Sequence, residues 1–307
     1  MAWRVLLIQN PAKLTIEHKQ FALKNDEGTF TLPLEDILAV ILETPQATLS
    51  SSLLSACQTN GIVCITCDES HMPNGVLLPF LQHSRASQVG HIQQSWSAPL
   101  RKRLWQRIVQ TKILNQAACL DMTRGASHSA RLKKLSARVS SGDPQNIEAQ
   151  AARDYWPLLF GKGFHRGQND LVNAALNYGY AIIRALVARA QVAYGLIPAF
   201  GVHHDNDLNA FNLTDDVMEV FRPFVDRMVF SIRESDAFSL GEEKLSKEIR
   251  QQLASIGQTP CRFSNEVHTL AHVAEMLAAA LVDAIREKNT TTFICPELTQ
   301  ENIVDEI

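Results

Sequence analysis

The chain has 307 residues, 46% hydrophobic and 20% charged, with a formal net charge of −3. This is ordinary globular usage for one large domain or two smaller ones and argues against disorder, and the six cysteines have no disulfide-framework spacing. The total charge points to no partner, but Arg101 to Arg138 holds ten Lys or Arg against the single acid Asp121, which is either a polyanion-binding face or a solvated helix surface.

In chain order, the first eighty or so residues read as strands. Trp3–Gln9, Lys13–Glu17, Phe21–Lys24 and Thr29–Leu32 are short, partly alternating runs, separated by Asn10-Pro11 and Asn25-Asp26-Glu27-Gly28. Asp36–Leu42 and Ile62–Cys67 read as more buried strands, and Thr48–Thr59 as a helix stopped by Asn60-Gly61. The start, Met1–Ile8, has too short an apolar run for a secretory signal. No run of about 18 apolar residues is visible, so no membrane partner and a cytoplasmic location are expected. Cys64-x-x-Cys67 lacks the second pair a zinc site needs, and the cysteines are expected to be buried free thiols.

The texture changes after Phe80. Leu81–Trp96 is polar and linker-like. Helical periodicity then predicts helices over 98–120, 126–140, 146–160, 169–194, 215–230, 244–256 and 265–288. The resulting fold class is α+β: a small β-rich domain over 1–80, a linker over 81–96 and a larger all-helical domain over 97–307. Residues after about 290 are polar and acidic and read as a flexible tail that could meet a partner subunit.

Three helical segments carry chemistry. Asp143-Pro144 signals a helix start, with Asp as cap and Pro at the first helical position. On that helix Ile147, Ala151, Ala152, Tyr155, Leu158 and Leu159 share an apolar face, and Glu148 falls inside it. A carboxylate turned into a core is costly unless it meets a base, a donor or a metal; a structural Arg would serve as well. The 169–194 helix is apolar nearly all round, yet Asn173, Asn177, Tyr180 and Arg184 line one face of it. A site with phosphate or metal-bound water, packing against helix termini, or internal water would satisfy that stripe. Gly179 beside it suggests close approach of another backbone. Third, Gly201-Val202-His203-His204-Asp205-Asn206 reads as a loop, with Thr214 capping the next helix, Asp216 and Glu219 together on one face, and Pro223 either breaking or kinking that helix after Arg222. Mixed carboxylate and imidazole groups suit Mn²⁺ or Mg²⁺ at a phosphoryl-transfer site, whereas a His pair in a loop also occurs as surface or hydrogen-bonding residues.

In this order, I-E-A-Q-A-A-R-D-Y-W-P-L-L-F-G at 147–161, N-A-A-L-N-Y-G-Y-A-I at 173–182 and G-V-H-H-D-N-D-L-N-A-F-N-L-T-D-D-V-M-E-V-F-R-P at 201–223 resemble the CRISPR-associated spacer integrase family ("Cas one"), in its type II-system branch. The resemblance covers most of the chain. It implies a β-sandwich-like N-terminal domain with a role in dimerisation, and a helical catalytic domain. It implies a homodimer that joins a small partner ("Cas two") in a heterohexameric complex on double-stranded prespacer and repeat DNA. The implied activity is that of a metal-dependent endonuclease and integrase. A prespacer 3′-hydroxyl attacks a repeat phosphodiester, with Mg²⁺ or Mn²⁺ held by Glu148, His204 and Glu219. Asp216 would orient a ligand; His203, Asn177 and Tyr180 are further positions around the site, and Arg153, Arg184 and Arg222 are phosphate-contact candidates. Two other readings compete. An HD-type phosphohydrolase would use His204-Asp205 with His165, but that fold wants the dipeptide on a helix, not in a Gly- and Asn-flanked loop. The other is a non-catalytic helical DNA-binding protein.

Overall fold

A computed structural model describes residues 3–80, 83–238 and 244–301. Eight strands fill the N-terminal part: β1 (Arg4–Ile8), β2 (Ala12–Glu17), β3 (Gln20–Asn25), β4 (Gly28–Pro33), β5 (Ile37–Leu42), β6 (Ala47–Leu49), β7 (Val63–Cys67) and β8 (Pro73–Leu77), with α1 (Ser51–Thr59) before β7. They form two four-stranded sheets, β1-β5-β7-β8 and β4-β3-β2-β6. The first is parallel across β1, β5 and β7, with β8 antiparallel at its edge. The near-continuous apolar run of β5 follows from this position, because a central parallel strand is buried on both faces. Its Ile37 and Val40 join Leu14, Phe21, Leu53 and Cys57 in a small core shared by both sheets and α1. Its Leu38, Ala39 and Ile41 face the helices instead. Cys64 likewise sits in the small core while Cys67 packs on the other face, so the CxxC pair straddles the sheet. All six cysteines are free; Cys67 and Cys295 are only half-buried.

The expected linker is replaced by α2 (Ala86–Gln94), whose Val89 and Gln93 are fully buried. Gln93 ties it to the loop ahead of the site, with Nε2 donating to the Ile197 and Phe200 carbonyls at 3.0 Å each. A polar composition concealed this helix because its glutamine is an internal clasp rather than a surface residue. There follow α3 (Ala98–Thr123), α4 (Ala130–Arg138), α5 (Ile147–Phe160), α6 (Leu171–Ala193), α7 (Asn212–Met218), α8 (Arg222–Glu234), α9 (Lys247–Ala254) and α10 (Leu270–Glu287).

The C-terminal part is not all-helical. Strands β9 (Pro260–Phe263) and β10 (Glu266–Thr269) make a hairpin, and β11 (Glu297–Leu298) pairs with β9. The expected flexible tail is therefore docked at least to Glu301: Phe293 is fully buried, Leu298 is buried, and Asn115 on α3 accepts from the Leu298 N–H. Residues 302–307 lie outside the described part.

At the centre runs α6, packed by α7, α8, α9 and α10. By length and composition alone it passes as a candidate membrane span, with a mean hydropathy of 1.3 over an 18-residue window, but 67% of that window is buried inside the protein, as in the core helix of a globular fold. Gly179 lets α8 approach, since a Cβ there would stand 2.5 Å from the Val225 side chain; the neighbour is a side chain, not a backbone.

Candidate active site

Three segments converge beside α3. The first is α5. Its cap is Asn146, in the left-handed region, whose side chain accepts from the Ala149 N–H. Asp143 is not the cap itself: it folds back from the preceding turn and accepts from the Ile147 and Glu148 N–H groups at 2.9 and 3.0 Å. The first turn is thereby doubly held, and Glu148 leaves it toward α3.

The second is the break between α7 and α8. The predicted single helix over 215–230 splits because Pro223 has no N–H to continue the ladder and instead opens α8. Glu219 sits in this break. Thr214 is not a cap but lies inside α7, where its hydroxyl meets Gln191 Oε1 at 2.6 Å.

The third is the loop before α7. Asn212 pins it, donating to the carbonyls of Ala199 and Asn206 at 3.2 and 3.0 Å. Gly201 is needed for close approach: a Cβ would fall 2.1 Å from the His204 carbonyl and 2.9 Å from Asp216 Oδ2. Fully buried Asp216 accepts from the His203 N–H at 2.8 Å and the His204 N–H at 3.3 Å, and lies 2.5 Å from His204 Nδ1. This hydrogen bond raises the His204 pKa against the opposing effect of burial. It also fixes which ring nitrogen faces outward, namely Nε2.

At the meeting point stands Lys112 of α3. Its Nζ is 2.5 Å from Glu148 Oε1 and 2.5 Å from Glu219 Oε2. Burial alone would depress the ammonium, but Glu219 and Glu148 overcome it and hold its pKa above the ordinary lysine value. Glu219 is buried too, and Lys112 and Arg222 reverse the upward push of burial and lower its pKa. Arg222 donates Nε–H to Glu219 Oε1 at 2.7 Å, with its guanidinium 4.5 Å over the Tyr180 ring.

The structure thus brings Glu148 and Glu219 to one cation and anchors His204 through Asp216. As they stand, no three carboxylate, imidazole or thiolate groups among the described residues are gathered to hold one ion. The donor chemistry nonetheless fits a hard divalent cation. Two carboxylates from separate elements face one point, and buried Glu219 Oε2 receives no properly directed hydrogen bond despite its closeness to Lys112.

The remaining predicted positions do other work. His203 stacks on Trp105 at 4.3 Å between ring centroids. Asn173 and Asn177 accept from Arg166, so the first half of the polar stripe on α6 is satisfied by a neighbouring loop. Tyr180 and Tyr155 donate to the buried carboxylate of Asp226. Arg184 is paired with Asp215 and Asn209, whereas Arg153 is exposed. His165 donates its backbone N–H to Gln168, and the His204-Asp205 dipeptide lies in a loop.

Lys112, Trp105, Arg166 and Asp226 were not singled out by the sequence. Lys112 did carry a signal. Trp105, Ile108, Lys112, Asn115 and Cys119 follow helical spacing on α3, which places the lysine inside an otherwise buried stripe.

A family model for "CRISPR associated protein Cas1" matches residues 5–253. The chain is 38% identical over 298 residues to the CRISPR-associated endonuclease Cas1 of Neisseria meningitidis serogroup C, covering 97% of each. It is 29% identical over 251 residues to a CRISPR-associated endonuclease Cas1 of Pyrobaculum aerophilum, covering 75% of this chain and 82% of that one. Among solved structures, a casposase bound to integration product matches with a TM-score of 0.78 at 17% identity, over 98% of this chain and 96% of that one. A Cas1 protein from Thermotoga maritima matches with a TM-score of 0.70 at 16% identity, over 92% and 97%. A chain of a Cas6-RT-Cas1–Cas2 complex matches with a TM-score of 0.72 at 21% identity, over 97% of this chain and 36% of that one.

Proposed function

The chain belongs to the CRISPR-associated Cas1 family, and from that premise we propose that it is a metal-dependent DNA endonuclease and integrase of CRISPR adaptation. Its reaction is a transesterification: a prespacer 3′-hydroxyl attacks a phosphodiester of the repeat, and the repeat's own 3′-oxygen leaves with a proton as the new P–O bond forms. Its relatives are named endonucleases, and a structural neighbour is a casposase bound to integration product, which supports this reaction class. The observation that carries the reading is the convergence of Glu148 and Glu219, from separate elements, on a single cation position.

In this reading Glu148, His204 and Glu219 hold Mg²⁺ or Mn²⁺. When bound, the ion supplies charge neutralisation at the non-bridging oxygens and favours the ionised hydroxyl. The rest is done by the chain. Asp216 keeps His204 Nε2 outward by binding Nδ1. Arg222 keeps Glu219 ionised and fixed. Exposed Arg153 is free to meet a phosphate, whereas Arg184 already has an acidic partner and is the weaker choice. The assembly is a homodimer joined by a small Cas2 partner on double-stranded DNA. The presence of a Cas1–Cas2 complex among the structural neighbours supports the partner.

The test combines the protein, its small partner and Mg²⁺ or Mn²⁺ with short duplexes ending in 3′-hydroxyls and a supercoiled plasmid carrying a repeat. Strand joining is expected, and Glu148→Ala should abolish it. Joining that survives in Glu148→Ala would remove this site from the mechanism. Nucleotide hydrolysis without joining would favour the HD-type reading.

A further inference from the structure

Lys112 is the only one of the ten basic residues between Arg101 and Arg138 whose charge sits inside the site, among the described residues. Its side chain is 12% exposed, against 26% for Glu148 and 52% for His204. Its Nζ lies 2.5 Å from both Glu148 Oε1 and Glu219 Oε2. An ion bonded to those two oxygens at about 2.1 Å would fill the volume the ammonium now fills. The ammonium and a divalent ion would also repel strongly in such dry surroundings. One of the local cations has to yield. Arg222 is held by Glu219 on one side and by the Tyr180 ring on the other. Lys112 has a compact charge on a flexible four-carbon stem, which suits displacement. Once displaced, a nearly buried ammonium requires a new anion.

We propose that Lys112 holds the position between Glu148 and Glu219 that a divalent ion would take, and that it couples divalent-ion entry to nucleic-acid binding, a DNA phosphate being the anion that receives it. This rests on the reading of Glu148 and Glu219 as ion ligands. Lys112 is then a positioning residue: it keeps two carboxylates together without an ion, and it makes the site take up metal firmly only when DNA is present. Binding that depends on a second ligand in this way is reciprocal, so metal also tightens DNA binding by the same factor.

The test is Mn²⁺ binding by the full chain, with free Mn²⁺ measured by electron paramagnetic resonance. It is run with and without a short duplex whose 3′ ends are dideoxy-blocked, after subtracting ion bound by the duplex alone. For the unaltered protein the duplex is expected to tighten Mn²⁺ binding by about tenfold or more. Lys112→Met should bind Mn²⁺ tightly without DNA and lose most of that coupling. Its melting temperature in chelator should fall, and Mn²⁺ should restore it, because Glu148 and Glu219 are left face to face with only Arg222, on Glu219, to offset their charge. Lys112→Gln, which keeps a hydrogen-bond donor, serves should the Met variant fail to fold. Equal Mn²⁺ affinity in variant and unaltered protein, or full coupling retained without the lysine, would overturn the proposal while leaving the metal site standing. Folded proteins that bind no Mn²⁺ in any condition would overturn the metal reading itself and this inference with it.

Discussion

Asp216 is fully buried and accepts from two backbone N–H groups and from His204 Nδ1, so the position of the histidine depends on how closely the loop wraps the carboxylate. Gly201 permits that wrapping. With 2.1 Å between a Cβ at 201 and the His204 carbonyl, Gly201→Ala has to displace the loop backbone. Strand joining should fall about a hundredfold or more, since a shift near 1 Å at a reacting group has that effect. Gly163→Ala, where a Cβ meets nothing within 4 Å, is the control and should join DNA normally. Comparable joining by both variants would show that the loop does not position His204. Asp226 makes a second residue-level prediction. Burial raises its pKa from 3.8 to about 6, against the lowering effect of hydrogen bonds from Tyr180 and Tyr155. Between those values the folded protein holds a proton that the unfolded chain has released. Its stabilising contribution is therefore complete below about pH 4 and is lost as pH rises through about 6. The difference is about 3 kcal/mol. Urea unfolding across this range should show Asp226→Asn lacking that decline; parallel curves for the two proteins would refute the assignment. Of these groups, Glu148 was legible because helical projection alone turns it into an apolar face. Asp226 was not, since an acid on an amphipathic helix looks like solvated surface until the opposing element is in place, and the signal Lys112 carried, its place in a buried stripe of α3, was masked by the basic run around it.

At the scale of elements, periodicity found most helices because each buries a continuous stripe, and it failed where long-range pairing makes the element. The helix expected over 215–230 breaks at Glu219, and this break is what aims the carboxylate toward α3. A two-residue strand such as β11 has no period to read. It exists because β9 offers an edge and because Asn115 reaches the Pro296 carbonyl at 3.1 Å and the Leu298 N–H at 3.0 Å. The same amide donates to the Val220 carbonyl at 2.9 Å, one residue after Glu219, so the C-terminal strand and the α7–α8 break share one anchor. Asn115→Leu leaves those backbone groups buried without partners. Stability should drop by about 2–4 kcal/mol, the combined effect of unsatisfied buried groups. Deleting the chain from Thr290 onward should be more severe, because it uncovers the site of Phe293 and the β9 edge. A calorimetric melt of the deletion that matches the full chain would restore the flexible-tail view.

For the whole molecule, the decisive question is whether the N-terminal sheets and the helices can fold apart. The composition change after Phe80 suggests that they can, since it marks a real switch from strands to helices. The packing says otherwise. The main core runs without interruption from Leu38, Ala39, Ile41, Val63 and Ile65 of the first sheet into α3, α6 and α10. Two buried guanidinium groups cross the same boundary: Arg189 of α6 donates to the Gly61 carbonyl, and Arg250 of α9 pairs with Glu43, both members of that pair being nearly inaccessible. Burying such charges is tolerable only while each keeps its partner. A fragment covering 97–307 would expose one side of α6, leave Arg250 without Glu43 and take the Gly61 acceptor from Arg189, which keeps Glu275. It should lack a cooperative melt, while the full chain should unfold in one transition in which both parts participate. The point variant Glu43→Ala isolates the ionic part of this argument. It leaves the Arg250 guanidinium buried without its carboxylate and should cost about 3–5 kcal/mol, whereas Glu43→Gln, which keeps two hydrogen-bonding atoms, should cost less. A fragment that melts cooperatively on its own, or a Glu43→Ala chain as stable as the parent, would mean that the two parts are independent domains and that the boundary read from composition is the physical one.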